Sequence, residues 1–216
     1  MYFEFRRVLD GFIAAVALIL LSPLMLGIAV AIKLDSKGPV IFRQKRYGKD
    51  FIPYEIYKFR SMIVNAQNIG TGVYSFEGDP RITKVGHFLR KTSLDELPQL
   101  WNILKGDMAF VGPRSPVVGF FPKYEELNNA YKRRFTVLPG LTGLAQIKGR
   151  NDLSWDEKVR YDNIYITKVK KFGLLYDIKI WILTFFTVFL MKDVAEKHEN
   201  FEKNISSFNK NRGDKQ

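Results

Sequence analysis

Residues 90–99 read Arg-Lys-Thr-Ser-Leu-Asp-Glu-Leu-Pro-Gln and place two adjacent carboxylates, Asp95 and Glu96, beside the basic pair Arg90 and Lys91. Adjacent carboxylates repel, so the pKa of one should rise unless cations or a metal screen the pair. Such a pair, next to fixed positive charge, is what a reaction at a phosphate centre can use. Further cations gather around it. Arg114 follows Gly112-Pro113 and could return its guanidinium to the pair as a bidentate phosphate ligand; Arg81, after Asp79-Pro80, could do likewise. Each arginine alone reads as a solvated surface charge, and the gathering is the signal. The competing reading of the pair is structural. Ser93 and Glu96 fit the Ser-x-x-Glu capping box, and acidic residues in a first helical turn complement the helix dipole.

A second candidate lies at residues 139–150, Pro-Gly-Leu-Thr-Gly-Leu-Ala-Gln-Ile-Lys-Gly-Arg. Its three glycines let backbone approach a ligand, and Gln146, Lys148 and Arg150 are candidates to recognise a nucleotide or sugar. The alternative is an ordinary glycine-rich turn, since the segment matches neither a Walker A loop nor a GxGxxG fingerprint.

Composition narrows the chemistry. The 216 residues are 46% hydrophobic and 14% aromatic, enough for one domain with appendages. A formal charge of +12, from 34 Lys+Arg against 22 Asp+Glu, favours a polyanionic partner: nucleic acid, anionic headgroups or a phosphorylated substrate. The absence of cysteine excludes disulfides, thiolate catalysis and zinc ribbons. His87 and His198 are the only histidines, which argues against a histidine metal cluster. A metal here takes oxygen ligands, which suits Mg²⁺.

The elements that must position these residues begin with an anchor. Residues 11–32 carry no charge and are long enough to cross a bilayer as one helix. Ser22-Pro23 interrupts the run, and proline removes a helix hydrogen bond. Both flanks are basic: Arg6 and Arg7 before, Lys33, Lys37, Arg43, Lys45 and Arg46 after. The positive-inside bias then holds both ends on the cytoplasmic side. A re-entrant helix-break-helix satisfies both facts, and a spanning helix with a proline kink is the alternative. Residues 174–191, with Trp181, Phe185, Phe186 and Phe189, read as an interfacial amphipathic helix or as a core helix. Between these, residues 38–48 read as a turn, a short strand and another turn and 52–59 as a second strand, which makes a β-hairpin; 63–80 read as a surface loop, 82–89, 93–105, 117–136 and 153–171 as helices, and 139–143 as a tight turn. Ser154 with Glu157 opens the last helix, and Gly106 closes the one that begins at Ser93.

In order, these motifs resemble the bacterial sugar transferases, the small monotopic polyprenyl-phosphate phosphoglycosyl transferases. The resemblance is carried by residues 89–108 with Val111-Gly112-Pro113-Arg114, by Ser22-Pro23, by Tyr57-Lys58-Phe59-Arg60-Ser61-Met62, and by Pro139-Gly140-Leu141-Thr142-Gly143 with Ala145-Gln146. It implies that Asp95 attacks the β-phosphate of a nucleotide diphosphosugar and that polyprenyl phosphate then attacks the phosphosugar-aspartyl intermediate. It further implies that Glu96 positions or deprotonates the acceptor, that Mg²⁺ binds with Asp95, and that Arg90 and Arg114 hold phosphate oxygens. Lys58, Arg60, Arg81, Gln146 and Arg150 are expected at the substrate, with Asp162 in support. Ala109-Phe110, Leu138 and Ser115, which separates Arg114 from Pro116, depart from the family pattern.

The expected architecture is α+β and mostly helical: a membrane anchor at 1–35, a catalytic domain at 36–194 that includes the interfacial helix, and a polar tail at 195–216. The expected setting is monotopic, on the cytoplasmic face of the inner membrane. Expected partners are a UDP-sugar, undecaprenyl phosphate, the membrane and, in principle, a second copy. Two rivals remain: a membrane-tethered polyanion-binding protein in which Asp95-Glu96 is a helix cap, and a nucleic-acid-binding module. The second ranks last because the basic residues are scattered among membrane and phosphate motifs.

Overall fold

The computed structural model describes residues 2–72, 75–76, 78–149 and 153–189. Arg150 and the expected polar tail lie outside them. The uncharged run is the middle of one helix, α1 (Tyr2–Asp35), with Pro23 inside it. Proline has no N–H for the Ile19 carbonyl four residues back, and the Ser22 hydroxyl donates to that carbonyl instead, at 2.7 Å. The expected break is therefore a substituted hydrogen bond within a continuous helix rather than a non-helical gap. By length and composition α1 can cross a membrane, and its most apolar window has a mean hydropathy of 2.6.

The expected hairpin is present. Strands β1 (Ile41–Tyr47) and β2 (Pro53–Phe59) pair antiparallel, from Ile41 opposite Phe59 to Tyr47 opposite Pro53. The loop that follows is irregular apart from a 3-10 turn at Ala66–Asn68. Helix α2 (Lys84–Lys91) starts at Thr83, whose side chain accepts from the Gly86 amide. Helix α3 (Gln99–Lys105) ends at Gly106 with φ 85, the left-handed cap that glycine supplies without strain.

Two expectations are corrected further along. Residues 117–136 are not one helix. Gly119 sits at φ 86 and Pro122 has no amide to donate, so the segment breaks into a 3-10 turn at Tyr124–Glu126, a short helix, labelled α4 below, and a 3-10 turn at Arg134–Thr136. The segment's apolar periodicity comes from aromatic packing instead: Phe121 and Phe135 are buried with Leu127, against Phe120, Tyr131 and Trp155. Residues 139–143 are not only a turn. After β3 (Ala109–Val111) and α4 (Asn129–Arg133), strand β4 (Gly140–Thr142) pairs parallel with β3. A Cβ at Gly140 would lie 2.0 Å from the Gly112 amide nitrogen, so only glycine lets the two strands approach. Helix α5 (Leu144–Lys148) leads to α6 (Trp155–Phe172), which opens with the complete Ser154–Glu157 capping box. Helix α7 (Leu174–Phe189) follows, with Leu175, Phe185 and Phe186 exposed and Ile180 buried.

Both ends of α1 are fixed to this body. At one end Tyr2 Oη donates to Asp177 at 2.5 Å, and Arg6 pairs with Asp177 at 3.1 Å and donates to Tyr165 and the Val111 carbonyl. At the other end Asp35 accepts from the Val85 amide. Between them, Ala14 joins a core with Leu100, Ile103 and Val111, and Ile28 and Ile32 join a second core with Phe59 and Leu89. The opposite face leaves Phe5, Val8, Phe12, Ile19 and Leu26 exposed. The apolar face that no protein covers is the one a lipid phase would cover.

Arg6 is the countercharge for two buried carboxylates, Asp10 at 3.4 Å and Asp177. Removing one member of a buried charge set leaves the others uncompensated, at a cost of about 3–5 kcal/mol. Arg6→Ala is therefore expected to lower the unfolding temperature sharply in nanodiscs. Val8→Ala, on the exposed face, is expected to leave it nearly unchanged.

Candidate active site

The acidic pair does not cap a helix. Ser93 sits in the left-handed region at φ 57 and its side chain makes no cap hydrogen bond; Leu94–Glu96 is a 3-10 turn, and α3 starts only after Pro98. The capping-box expectation fails for a local reason: Pro98, four residues after Leu94, has no amide to give the Leu94 carbonyl that a continuous helix would use. The turn is held by the Glu96 amide on the Ser93 carbonyl and the Leu97 amide on the Leu94 carbonyl. It presents Asp95 and Glu96 to strand β2.

Lys58 on β2 meets them both. Its Nζ lies 2.6 Å from Glu96 Oε1 and 3.5 Å from Asp95 Oδ2. Arg114 Nη2 approaches the same Glu96 oxygen at 3.5 Å. The strand is registered against the turn by Asn102 of α3, whose Oδ1 accepts from the Tyr57 amide at 3.0 Å and whose Nδ2 donates to the Glu55 carbonyl at 2.6 Å. Asn102 is fully buried and is a site-building residue that the sequence reading missed.

The two carboxyls are driven apart. Burial acts to raise Glu96, but Lys58, then Arg114 and the Lys58 hydrogen bond, outweigh it and hold that carboxyl down to about 2. For Asp95 burial prevails over Lys58, and the neighbouring Glu96 charge adds to it, so this carboxyl lies above the ordinary range. The arrangement gives one carboxylate fixed in its charged form and one that accepts a cation or an electrophile.

The other expected residues divide. Arg90, at the end of α2, donates to Ser61 Oγ at 2.9 Å and Ser75 Oγ at 2.7 Å, and its charge is felt by Asp95. Arg114 is nearly half exposed beside Glu96. Arg60 does not reach the pair: it donates to the carbonyls of Pro39, Ser36 and Lys37 and to Ser36 Oγ, tying β2 to the end of α1. Arg81 pairs with Asp79 at 2.6 Å and donates to the carbonyls of Ala66, Ile69 and Gly72, so it ties residues 66–72 to Asp79. Both arginines were expected at the substrate; in the fold Arg60 is engaged by Ser36, Lys37 and Pro39, and Arg81 by Asp79, Thr71 and these carbonyls. Gln146 donates to the Leu141 carbonyl at the start of α5, away from the pair. Asp162, on α6, is buried against Arg134 at 3.0 Å, with burial pushing its carboxyl up to about 6. No group of three or more acidic or histidine side chains forms a metal cage among the described residues.

Thr83 caps α2 and Ser93 caps nothing, so their alanine variants should differ. Thr83→Ala is expected to cost about 1 kcal/mol. Ser93→Ala is expected to stay within about 0.5 kcal/mol of wild type. Denaturant titration of the two variants reads the contrast, and equal losses would restore the helix-cap reading of the acidic turn.

The family model for bacterial sugar transferases matches residues 1–191. The UDP-glucose:undecaprenyl-phosphate glucose-1-phosphate transferase of Klebsiella pneumoniae is 45% identical over 193 residues, covering 87% of this chain and 41% of that protein. Galactosyl transferase CpsE of Streptococcus agalactiae is 43% identical over 196 residues, 86% of this chain and 42% of that protein. The exopolysaccharide production protein PSS of Rhizobium leguminosarum is 45% identical over 147 residues, 67% of this chain and 74% of that protein. The chain thus spans about two fifths of the length of the first two relatives.

Proposed function

This chain belongs to the bacterial sugar transferase family, and we propose that it moves a sugar 1-phosphate from a UDP-sugar to undecaprenyl phosphate, the first membrane step of polysaccharide or glycoconjugate assembly. The observation that supports this best is the ammonium of Lys58 set between Glu96 at 2.6 Å and Asp95 at 3.5 Å. In this reading an Asp95 oxygen bonds to the β-phosphorus of the donor as the bond to the bridging oxygen breaks, and UMP leaves with that oxygen. An oxygen of undecaprenyl phosphate then attacks the same phosphorus. The Asp95–phosphorus bond breaks, the polyprenyl-diphospho-sugar departs and the carboxylate returns.

The chain's own groups have distinct tasks in this scheme. Glu96, ionised throughout the physiological range, anchors Lys58 and Arg114, the two cations this scheme assigns to the incoming phosphate oxygens. Its low pKa suits it to positioning better than to accepting a proton, which narrows the role expected from the sequence. Arg90, held by Ser61 and Ser75, faces Asp95 from the other side. Mg²⁺ fits the donor set, because Asp95 supplies one carboxylate and this ion is commonly held by one or two carboxylates with substrate phosphates completing the shell. When bound it supplies neutralisation of the diphosphate charge. In this reading the protein is monotopic on the cytoplasmic face of the inner membrane; the contacts at both ends of α1 to one body and the helix's uncovered apolar face support a monotopic placement. The relatives' names include glucose-1-phosphate, galactosyl and N-acetylgalactosamine phosphate transfer, and these set the donors to compare.

A panel of UDP-sugars with undecaprenyl phosphate and Mg²⁺ tests this. Wild type is expected to release UMP from one or more donors and to stop with EDTA. Asp95→Asn is expected to lose at least about 10³-fold, the scale for removing a nucleophile. Equal release by wild type and Asp95→Asn would exclude the reading.

The pH dependence has a defined sign. Asp95 must be ionised to attack and its pKa lies above the usual value of 3.8, so kcat/KM falls as pH drops through that raised pKa. Glu96→Gln removes a like charge and frees Lys58 for Asp95. Both effects favour the Asp95 carboxylate, and the acid limb of the residual activity is expected to move to lower pH. A limb that stays in place or moves up would separate Asp95 from it.

A further inference from the structure

The segment that carries Arg114 is held by its carbonyls. Pro113 oxygen accepts from the Gly140 amide at 3.0 Å. The next two carbonyls have no strand neighbour, and each is taken by the guanidinium of an arginine. Arg134 Nη2 donates to the Arg114 carbonyl at 2.7 Å, and Arg46 Nη1 donates to the Ser115 carbonyl at 2.7 Å. Tyr54 Oη donates to Ser115 Oγ at 2.9 Å.

We infer that Arg46 and Arg134 form a clamp that positions Arg114 against Glu96. This rests on the transferase reading above. Three observations carry it. First, Arg134 is buried and its Nη2 pairs with Asp162 at 3.0 Å, while Phe121, Phe135 and Trp155 surround the guanidinium at 5.2–5.7 Å. The Nη2 that pairs with Asp162 is the nitrogen that donates to the Arg114 carbonyl, so the buried ion pair fixes the atom that holds the backbone. Second, Arg46 is fixed by its own neighbour: Nε and Nη2 both donate to Gln44 Oε1, at 3.1 and 2.9 Å, leaving Nη1 for the Ser115 carbonyl. Its place in β1 also sets the Arg114 segment against the hairpin that supplies Lys58, since the Tyr47 amide donates to the Pro116 carbonyl. Third, Arg114 needs such help. Its side chain is 44% exposed and makes one 3.5 Å contact with Glu96. A long side chain at that exposure is aimed by its backbone or not at all, because a single loose ion pair does not offset its rotamer freedom.

The clamp also gives Asp162 a task. Asp162 does not reach the acidic pair; it orients Arg134, which orients the backbone of Arg114. Ser115 fits the same scheme, as the hydroxyl that Tyr54 of β2 reaches. Lys58 and Arg114 approach one Glu96 oxygen from two segments, and Arg46 and Tyr54 bridge those segments.

A double-mutant cycle on the full chain in nanodiscs separates positioning from mere stability. Arg134→Lys keeps a charge opposite Asp162 but not the planar fork. Arg134→Met with Asp162→Asn removes both charges and guards against a lone buried charge unfolding the protein. Each is measured with Arg114 present and in an Arg114→Ala background, together with hydrogen exchange of residues 112–118. The clamp predicts a loss of roughly 10-fold or more in kcat/KM when Arg114 is present, roughly 2-fold or less when it is absent, and faster exchange in the segment. Equal losses in both backgrounds, or unchanged exchange, overturns the clamp. A wild type that transfers no phosphosugar counts against the function reading instead, and the exchange result alone then decides the clamp.

Discussion

The ammonium of Lys58 between Glu96 and Asp95 is the interaction on which the rest depends. Two carboxylates on consecutive residues in a buried turn need a cation between them, and the 2.6 Å contact gives Glu96 the larger share of the Lys58 charge. Asp95 is left with a weaker 3.5 Å contact and a raised pKa. A buried carboxylate with incomplete compensation is poised to take up positive charge, whether a metal ion or an electrophilic phosphorus. The surrounding structure can be read as the means of holding that ammonium and that turn in register. Asn102 fixes β2 on α3, and Arg60 fixes the end of β2 on the exit of α1.

The membrane helix belongs to the same construction. Asp10 of α1 accepts from the Phe110 amide and Arg6 donates to the Val111 carbonyl, so α1 serves as the side-chain neighbour of strand β3. That strand runs directly into Gly112, Pro113 and Arg114. The anchor and the site are therefore one packed unit, with Ala14 and Val111 in a single core. Under the proposed function the acceptor is lipid-linked, and a site packed directly on α1 would bring the reacting groups to a bilayer surface without a flexible linker.

Much of this was legible in the sequence. The hairpin was visible from alternation and turn residues, the α6 start from Ser154 and Glu157, and the C-cap of α3 from Gly106, because each is a local rule satisfied by neighbours in the chain. The long apolar helix α1 was visible because an uncharged run is its own evidence. What local rules could not supply was partnership at a distance. Ser93 and Glu96 matched a capping box, but Pro98 removed the helix they would have capped. Residues 117–136 carried apolar spacing that serves an aromatic cluster rather than a helix face. Arg60 and Arg81 looked like phosphate ligands because an arginine's type says nothing of where its five donors go; in the fold they go to backbone carbonyls, to the Ser36 and Thr71 hydroxyls and to the Asp79 carboxylate. Arg134 and Asn102 gave no signal, since a buried arginine and a buried asparagine are recognised by what they touch.

The account stands on Asp95 becoming covalently bonded to phosphorus, and intact-mass spectrometry tests that most directly. The protein is incubated with its UDP-sugar and Mg²⁺ without any undecaprenyl phosphate, quenched, weighed and digested. The expected result is a mass increase of one phosphosugar, mapped to the peptide that contains Asp95, absent from Asp95→Asn and lost on adding the lipid phosphate. An enzyme that turns over in the complete reaction but never carries the adduct, or carries it on another residue, would contradict the account.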